Sequence, residues 1–249
     1  MKTYVINLAS QIEKKNHIIS ECKRLNLNFE IYNAINGAEL SEEFINKNVL
    51  DYPNCYLTKG EIGCSLSHFN IYKEIVRNNL PYALILEDDA VLNPLLADFI
   101  KDFENYNKKQ GIFLLIEYFQ YIKNKETVIG RFPVYPAENA ITTTGYIITL
   151  AAAKKMIKFL FPIRYEADMF KVFGQCTGIK IYASVPHLVS SNDKDKSNST
   201  LEEDRKKVQE QRKAYRSKLF KHHEKRNKVK RFFWRIFIKP TLHKVDYVE

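Results

Sequence analysis

The spacing of apolar residues along the chain switches repeatedly between short unbroken runs and runs at helical period. Tyr4-Val5-Ile6-Asn7-Leu8 opens as a β-rich run, with Ser10 behind it as a helix cap. Residues 11–26 carry Ile12, Ile18, Ile19, Cys22 and Leu25 near helical spacing, with charges between them. Phe29 to Tyr32 reads as a second strand and ends in Asn33-Ala34-Ile35-Asn36-Gly37. A β-α-β opening starts many open α/β sheets, which take ligands at the carboxyl ends of their strands. Asn7 and Asn36-Gly37 then share one edge where a nucleotide can be received, although Asn-Gly also turns for purely local reasons.

Thr58 and Glu61 stand at the spacing of a capping box, so a helix is expected from there through Val76. Gly60 and Gly63 weaken its first turn but admit a ligand or another backbone. Ala83-Leu84-Ile85-Leu86 is an unbroken apolar run between Pro81 and three carboxylates, Glu87-Asp88-Asp89, and reads as a buried strand. An amphipathic helix is expected over 95–106, a strand over 111–119, an irregular hairpin or surface loop over 120–140 and a strand over 141–149. A helix over 150–161, a loop with Arg164, Glu166 and Asp168, and a strand over 179–185 follow. The polar stretch Ser190 to Thr200 reads as a mobile loop that could close over a bound ligand and exclude water.

With 249 residues, 45% hydrophobic and 13% aromatic, the chain is long and apolar enough for a folded body. No apolar run approaches the roughly 18 to 20 residues needed to span a bilayer, and Tyr4 to Ala9 is too short for a signal core. Cys22, Cys55, Cys64 and Cys176 lack zinc-ligand spacing, so reduced, mostly buried thiols are expected. The net charge of +10 is concentrated at one end. Residues 201–249 hold 16 Lys/Arg against 7 Asp/Glu, leaving the first 200 residues close to neutral. The expected division is therefore a catalytic body, 1–200, and a basic helical tail, 201–249. Within the tail, Arg231 to Lys239 interleaves Phe, Trp and Ile with basic residues, which suits an anionic membrane surface; a helix docked on its own domain or a dimer contact fits as well. A neutral body without a binding motif sets nucleic acid aside.

Three adjacent carboxylates at a buried strand end repel one another, and a hard divalent cation is the simplest relief. A solvated turn is the plainer alternative.

Taken together, these stretches resemble glycosyltransferase family 25. Leu57-Thr-Lys-Gly-Glu-Ile-Gly-Cys-Ser-Leu-Ser-His68 is similar to its most diagnostic motif, and Leu84-Ile-Leu-Glu-Asp-Asp-Ala90 to its acidic strand. Tyr4 to Leu8 with Lys14-Lys15, Asn33 to Gly37, Thr144 to Ile148, Asp168, and Pro186 to Val189 complete the resemblance over residues 1–200. It implies a GT-A-like α/β fold, with a central mixed, mostly parallel sheet flanked by helices. It implies a UDP-sugar donor, most often UDP-galactose, and a divalent cation, Mn²⁺ first and Mg²⁺ second. Carried onto these positions, the donor site comprises Asn7, Leu8, Lys15, Ala34, Asn36, Gly37, Lys59, Glu61, Gly63, Ser67, Glu87 and Asp88, with either Lys14 or Lys15 expected at the diphosphate. Asp89 leads the metal ligands, with Glu87 and His187 as helpers.

Inverting transfer needs a base for the acceptor hydroxyl, for which Asp168 is first candidate and Glu117 and His68 are reserves. The implied acceptor is a lipid-linked lipooligosaccharide or lipopolysaccharide, and the expected location is cytoplasmic, on the inner face of a bacterial inner membrane. A non-catalytic nucleotide-sugar or carbohydrate-binding protein is the alternative function. With a separable tail, deleting residues 202–249 is expected to lower membrane recovery while sparing transfer to a soluble acceptor.

Overall fold

A computed structural model describes residues 1–106, 110–193, 207–224, 236–237 and 239–247. The chain runs β1 (Lys2–Asn7), α1 (Ile12–Arg24), β2 (Phe29–Asn33), α2 (Glu42–Asn48), α3 (Lys59–Arg77), β3 (Tyr82–Glu87), β4 (Ala90–Leu92) and α4 (Leu96–Glu104). It continues through β5 (Ile112–Leu114), β6 (Phe119–Ile122), β7 (Thr127–Ile129), β8 (Phe132–Glu138), β9 (Gly145–Thr149), α5 (Leu150–Leu160) and α6 (Phe170–Thr177). The described elements end with β10 (Ile181–Ser184), β11 (Val189–Ser191), α7 (Gln209–Glu224) and β12 (Lys244–Tyr247).

One mixed sheet runs β12-β6-β8-β10-β5-β9-β3-β1-β2, with β7 added alongside β8. β1 is parallel to β2 and β3, and β5 is parallel to β10. β9 lies antiparallel between β3 and β5, so β1, β2, β3, β5 and β10 all point one way. Their carboxyl ends share an edge, and that edge collects Asn7, Ala34, the acidic triplet, Glu117 and His187.

Alternation along the strands feeds an apolar cluster on each face of the sheet. Ala83 and Ile85 join the cluster with Ile62, Leu66, Tyr72, Met156 and Phe173 from α3, α5 and α6. Leu84 and Leu86 join the other, with Ile18, Cys22, Phe99 and Phe103 from α1 and α4. The expected α/β class, with helices on both faces of the sheet, is what the chain adopts. None of the four cysteines is in a disulfide.

Four local expectations are revised. The strand expected over 111–119 stops at Leu114, because Leu115 turns out of it: its carbonyl accepts from the amides of Leu188 and Val189, and Tyr118 takes a positive φ of 61°. The stretch expected to be irregular, 120–140, supplies β6, β7 and β8; Pro133 cannot donate, yet its carbonyl still accepts from Val185. Ser190 and Ser191 are not loop residues, since β11 pairs antiparallel with β4. The remainder of the expected lid, 194–200, lies outside the described residues.

The fourth revision concerns the tail. Helix α7 is docked, with Tyr215, Leu219 and Phe220 against the main core, and β12 joins the sheet by pairing with β6. A cut at residue 202 therefore removes parts of the body, so the expectation that it spares catalysis does not hold. The basic aromatic stretch lies outside the described residues except for 236, 237 and 239. Among the described residues, no helix is long and apolar enough to cross a membrane.

The segment after β2 is held against the start of α3 by two glycines. A Cβ on Gly63 would lie 2.5 Å from the Ile35 carbonyl oxygen and 2.7 Å from the Gly37 amide. Ser67 completes the seam, accepting from the Ile35 amide at 2.8 Å and donating to the Gly63 carbonyl at 2.7 Å. Both obstacles to a methyl group are backbone, which cannot rotate away. Gly63→Ala is expected to lower stability by about 1–3 kcal/mol, read as a shifted urea midpoint; an unchanged midpoint would show that the 34–37 segment yields.

Candidate functional site

The acidic turn after β3 sends its three carboxylates to three different elements. Asp88 Oδ2 accepts from Asn7 Nδ2 at 2.7 Å, and the same amide donates to the Gln11 carbonyl at 3.1 Å. Burial pushes the Asp88 carboxyl above its ordinary value, while the Asn7 hydrogen bond opposes that. Glu87 Oε1 accepts from Thr143 Oγ1 and lies 3.4 Å from His68 Nε2. The His68 ring is fully buried, with Nδ1 2.8 Å from the Tyr146 hydroxyl, which lies 2.7 Å from that of Tyr72.

Asp89 has the most expensive position. Its Oδ2 accepts from Ser191 Oγ at 2.6 Å, and its carbonyl accepts from the Asn192 amide at 3.0 Å. Its Oδ1 is buried without a hydrogen-bond partner among the described residues. Burial first, and the Glu87 charge second, push its carboxyl up to about 6. β11 brings these partners in, because Ser191 faces Ala90 across the β4 pairing. Asp193 follows, its amide donating to Ser191 Oγ at 3.0 Å.

The turn forms one side of a cleft of about 1070 Å³. Of the residues expected on the donor and metal site, Leu8, Ala34, Asn36, Gly37, Lys59, Ser67, Glu87, Asp88 and Asp89 line it. Asn7 and Gly63 stand behind the wall: Asn7 orients Asp88, and Gly63 admits the neighbouring backbone. Of the basic pair Lys14 and Lys15, either of which was expected at the diphosphate, Lys14 lines the cleft and Lys15 does not, since one residue on a helix turns a side chain about 100°. Glu61 does not line it either. Its carboxylate closes the capping box on the Thr58 amide at 2.9 Å and is buried against Arg212.

The candidate bases are placed elsewhere. His68 is sealed inside, as above. Glu117, 4% exposed, meets His187 Nε2 at 3.4 Å, and His187 Nδ1 lies 3.0 Å from the Tyr247 hydroxyl. His187 thus engages Glu117 and β12, while Ser191 and Asn192 are the residues that reach Asp89. Asp168 is half-buried in the turn entering α6, where its carbonyl accepts from the Phe170 amide at 2.7 Å, and it does not line the cleft. Cleft residues missed in the sequence include Tyr56, Asp193 and Lys207, and also Cys64, which shares a face of α3 with Gly60 and Ser67. Asp193 and Lys207 reach the cleft through long-range packing that no local pattern announces.

A hard cation suits the donor chemistry of this turn: the orphaned Oδ1 of Asp89 lacks a hydrogen-bond donor, and carboxylate oxygens are the ligands Mn²⁺ and Mg²⁺ take. Among the described residues the three carboxylates do not come together as a ligand cluster, each being bonded to a different element. Cys64, His68 and Glu87 do lie with ligand atoms within 4.8 Å of one another. That set mixes a thiol and an imidazole, which suits softer metals.

Similarity to known proteins follows the same stretch of chain. Residues 1–171 match the family described as glycosyltransferase family 25 (LPS biosynthesis protein). A glycosyltransferase 25 family member of Aedes aegypti is 30% identical over 167 residues, 62% of this chain and 27% of that protein. Lipooligosaccharide biosynthesis protein lic2B of Haemophilus influenzae is 26% identical over 189 residues, 70% of this chain and 71% of that protein. Procollagen galactosyltransferase 1-A of Xenopus laevis is 28% identical over 169 residues, 63% of this chain and 28% of that protein. The match therefore spans about a quarter of the mosquito and frog relatives and most of the bacterial one. With its diagnostic helix, acidic strand and opening β-α-β unit all inside the matched residues, this chain belongs to glycosyltransferase family 25.

Proposed function

We propose that the protein transfers a hexose, galactose first, from a UDP-sugar to a lipooligosaccharide acceptor, with a divalent cation held at the acidic turn. The observation that carries this reading is the buried, unpartnered Oδ1 of Asp89 at the wall of a cleft large enough for a nucleotide sugar. Galactose is supported by the name of the frog relative, and the acceptor by the name of the bacterial one.

Asp89 is the leading ligand, with Glu87 and the nearby Asp193 able to add oxygens. A cation held there supplies Lewis-acid stabilisation of the departing diphosphate. Asn7 holds Asp88 by a hydrogen bond that favours its charged form. Lys14, whose charge acts on both Asp88 and Asp89, also lies in the wall where a diphosphate carries negative charge. Leu8, Ala34 and Asn36 shape the part of the cleft assigned to the uridine. Asp168, Glu117 and His68 all stand outside the cleft lining, so none of them is assigned as base for the acceptor hydroxyl.

The direct test is a panel of UDP-sugars with Mn²⁺ and a lipooligosaccharide acceptor. UDP-galactose is expected to support transfer that chelation abolishes. Asp89→Asn, which keeps the shape and removes the charge, is expected to lower kcat/KM at least about 100-fold, or ~2.7 kcal/mol. UDP binding without sugar release from any donor would instead favour a non-catalytic binding protein.

We also assign the protein to an anionic membrane surface, supported by the excess of basic residues after residue 200. Replacing Phe232, Phe233 and Trp234 together by serine is expected to reduce sedimentation with phosphatidylglycerol vesicles without changing UDP affinity. Equal sedimentation of the variant would refute the membrane assignment.

A further inference from the structure

The donor cleft is not closed by the first 200 residues alone. Lys207 and Val208, immediately before α7, line it together with Tyr56, Leu57, Thr58 and Lys59. What holds them there is a buried guanidinium. Arg212, 5% exposed, reaches both carboxylate oxygens of Glu61 at 2.7 Å, through Nη1 and Nη2. Its Nε donates to the Tyr56 carbonyl at 3.0 Å, and Nη1 also meets Glu166 at 3.2 Å. Arg216, one turn on, adds a second ion pair to Glu166.

Glu61 and Glu166 are 1% and 4% exposed, so this cluster is excluded from water. A buried pair with both partners present costs little net, but removing one partner strands a buried charge. A planar fork satisfying two oxygens and a carbonyl at once cannot be copied by an ammonium. These bonds tie α7 to the start of α3 and to the cleft wall at Tyr56.

Among the described residues, Lys14, Lys59 and Lys207 line the cleft. Lys59 donates to the Leu40 carbonyl at 3.3 Å, and Lys14 acts on the acidic turn. Lys207 brings positive charge from a third element.

We infer that the start of α7 is a fixed wall of the donor cleft, in which Lys207 contacts the diphosphate of the nucleotide donor and Arg212 positions that wall. This deepens the nucleotide-sugar reading and rests on it. Lys207 is a binding residue, whereas Arg212 touches no donor and acts through the helix.

The test uses the full chain with Mn²⁺ and calorimetric titration of UDP and UMP. Lys207→Met is expected to weaken UDP about tenfold, the size of one charge-assisted hydrogen bond, to weaken UMP less, and to leave the thermal midpoint unchanged. Arg212→Lys is expected to raise the donor KM while leaving the acceptor KM unchanged. Lys207→Met binding UDP as the wild type does would overturn the inference alone. A lowered thermal midpoint in Arg212→Lys with an unchanged donor KM would reduce Arg212 to a structural clamp and overturn its positioning role. A wild-type protein that binds no UDP would overturn the donor reading and this inference with it.

Discussion

Three consecutive carboxylates at the end of a strand buried on both faces set the constraint that the carboxyl edge of the sheet has to meet. Like charges this close raise one another's pKa, and burial adds to the cost. The fold answers by giving each carboxylate a partner from a different element. Asp88 takes Asn7 from β1, Glu87 takes Thr143 from the turn before β9, and Asp89 takes Ser191 from β11. The sheet order makes this possible, because β3 lies directly between β1 and β9. Among the described residues, Asp89 is the member of the triplet with a buried oxygen that no donor meets, and the proposed cation is assigned there for that reason.

A second consequence is that the most diagnostic residues of the chain mostly build the site and do not touch its contents. Gly63, Ser67 and Gly37 bring the segment after β2 against α3. His68 and Tyr146 stand behind Glu87, and Glu61 holds the capping box and Arg212. The small residues in the first turn of α3 were open to two readings, a ligand or another backbone. At Gly63 the backbone of Ile35 and Gly37 fills the space, whereas Gly60 lines the cleft. The same motif therefore divides by position within a single helical turn.

What was legible in the sequence was local. The apolar run before Glu87, the Thr58–Glu61 capping box and the separate strands and helix of the β-α-β opening each depend on residues within a few positions of one another, and each is present. What was not legible joins residues far apart: Ser191 to Asp89, His187 to Glu117, and β12 to β6. Pairings across about 70 to 130 positions leave no periodic trace in either partner. The choice between Lys14 and Lys15 stayed open for a different reason, since nothing in a basic pair says which member faces inward.

The tail misled for a reason that can be named. Its charge balance suggested a basic tail separate from the body, yet residues 212, 215, 216, 219 and 220 are the buried or half-buried positions of 211–220, and the other five are exposed. Those positions follow the i, i+3, i+4, i+7, i+8 stripe of an amphipathic helix. The stripe went unseen because arginine fills two of its five places. Arginine is the cation best suited to such a place, since its guanidinium is weakly hydrated and its fork can satisfy two buried carboxylate oxygens together. Counting Arg212 as a surface charge moves it to the wrong side of the helix. Placing it on the inner stripe predicts a buried acidic partner, and Glu61 at the start of α3 is that partner.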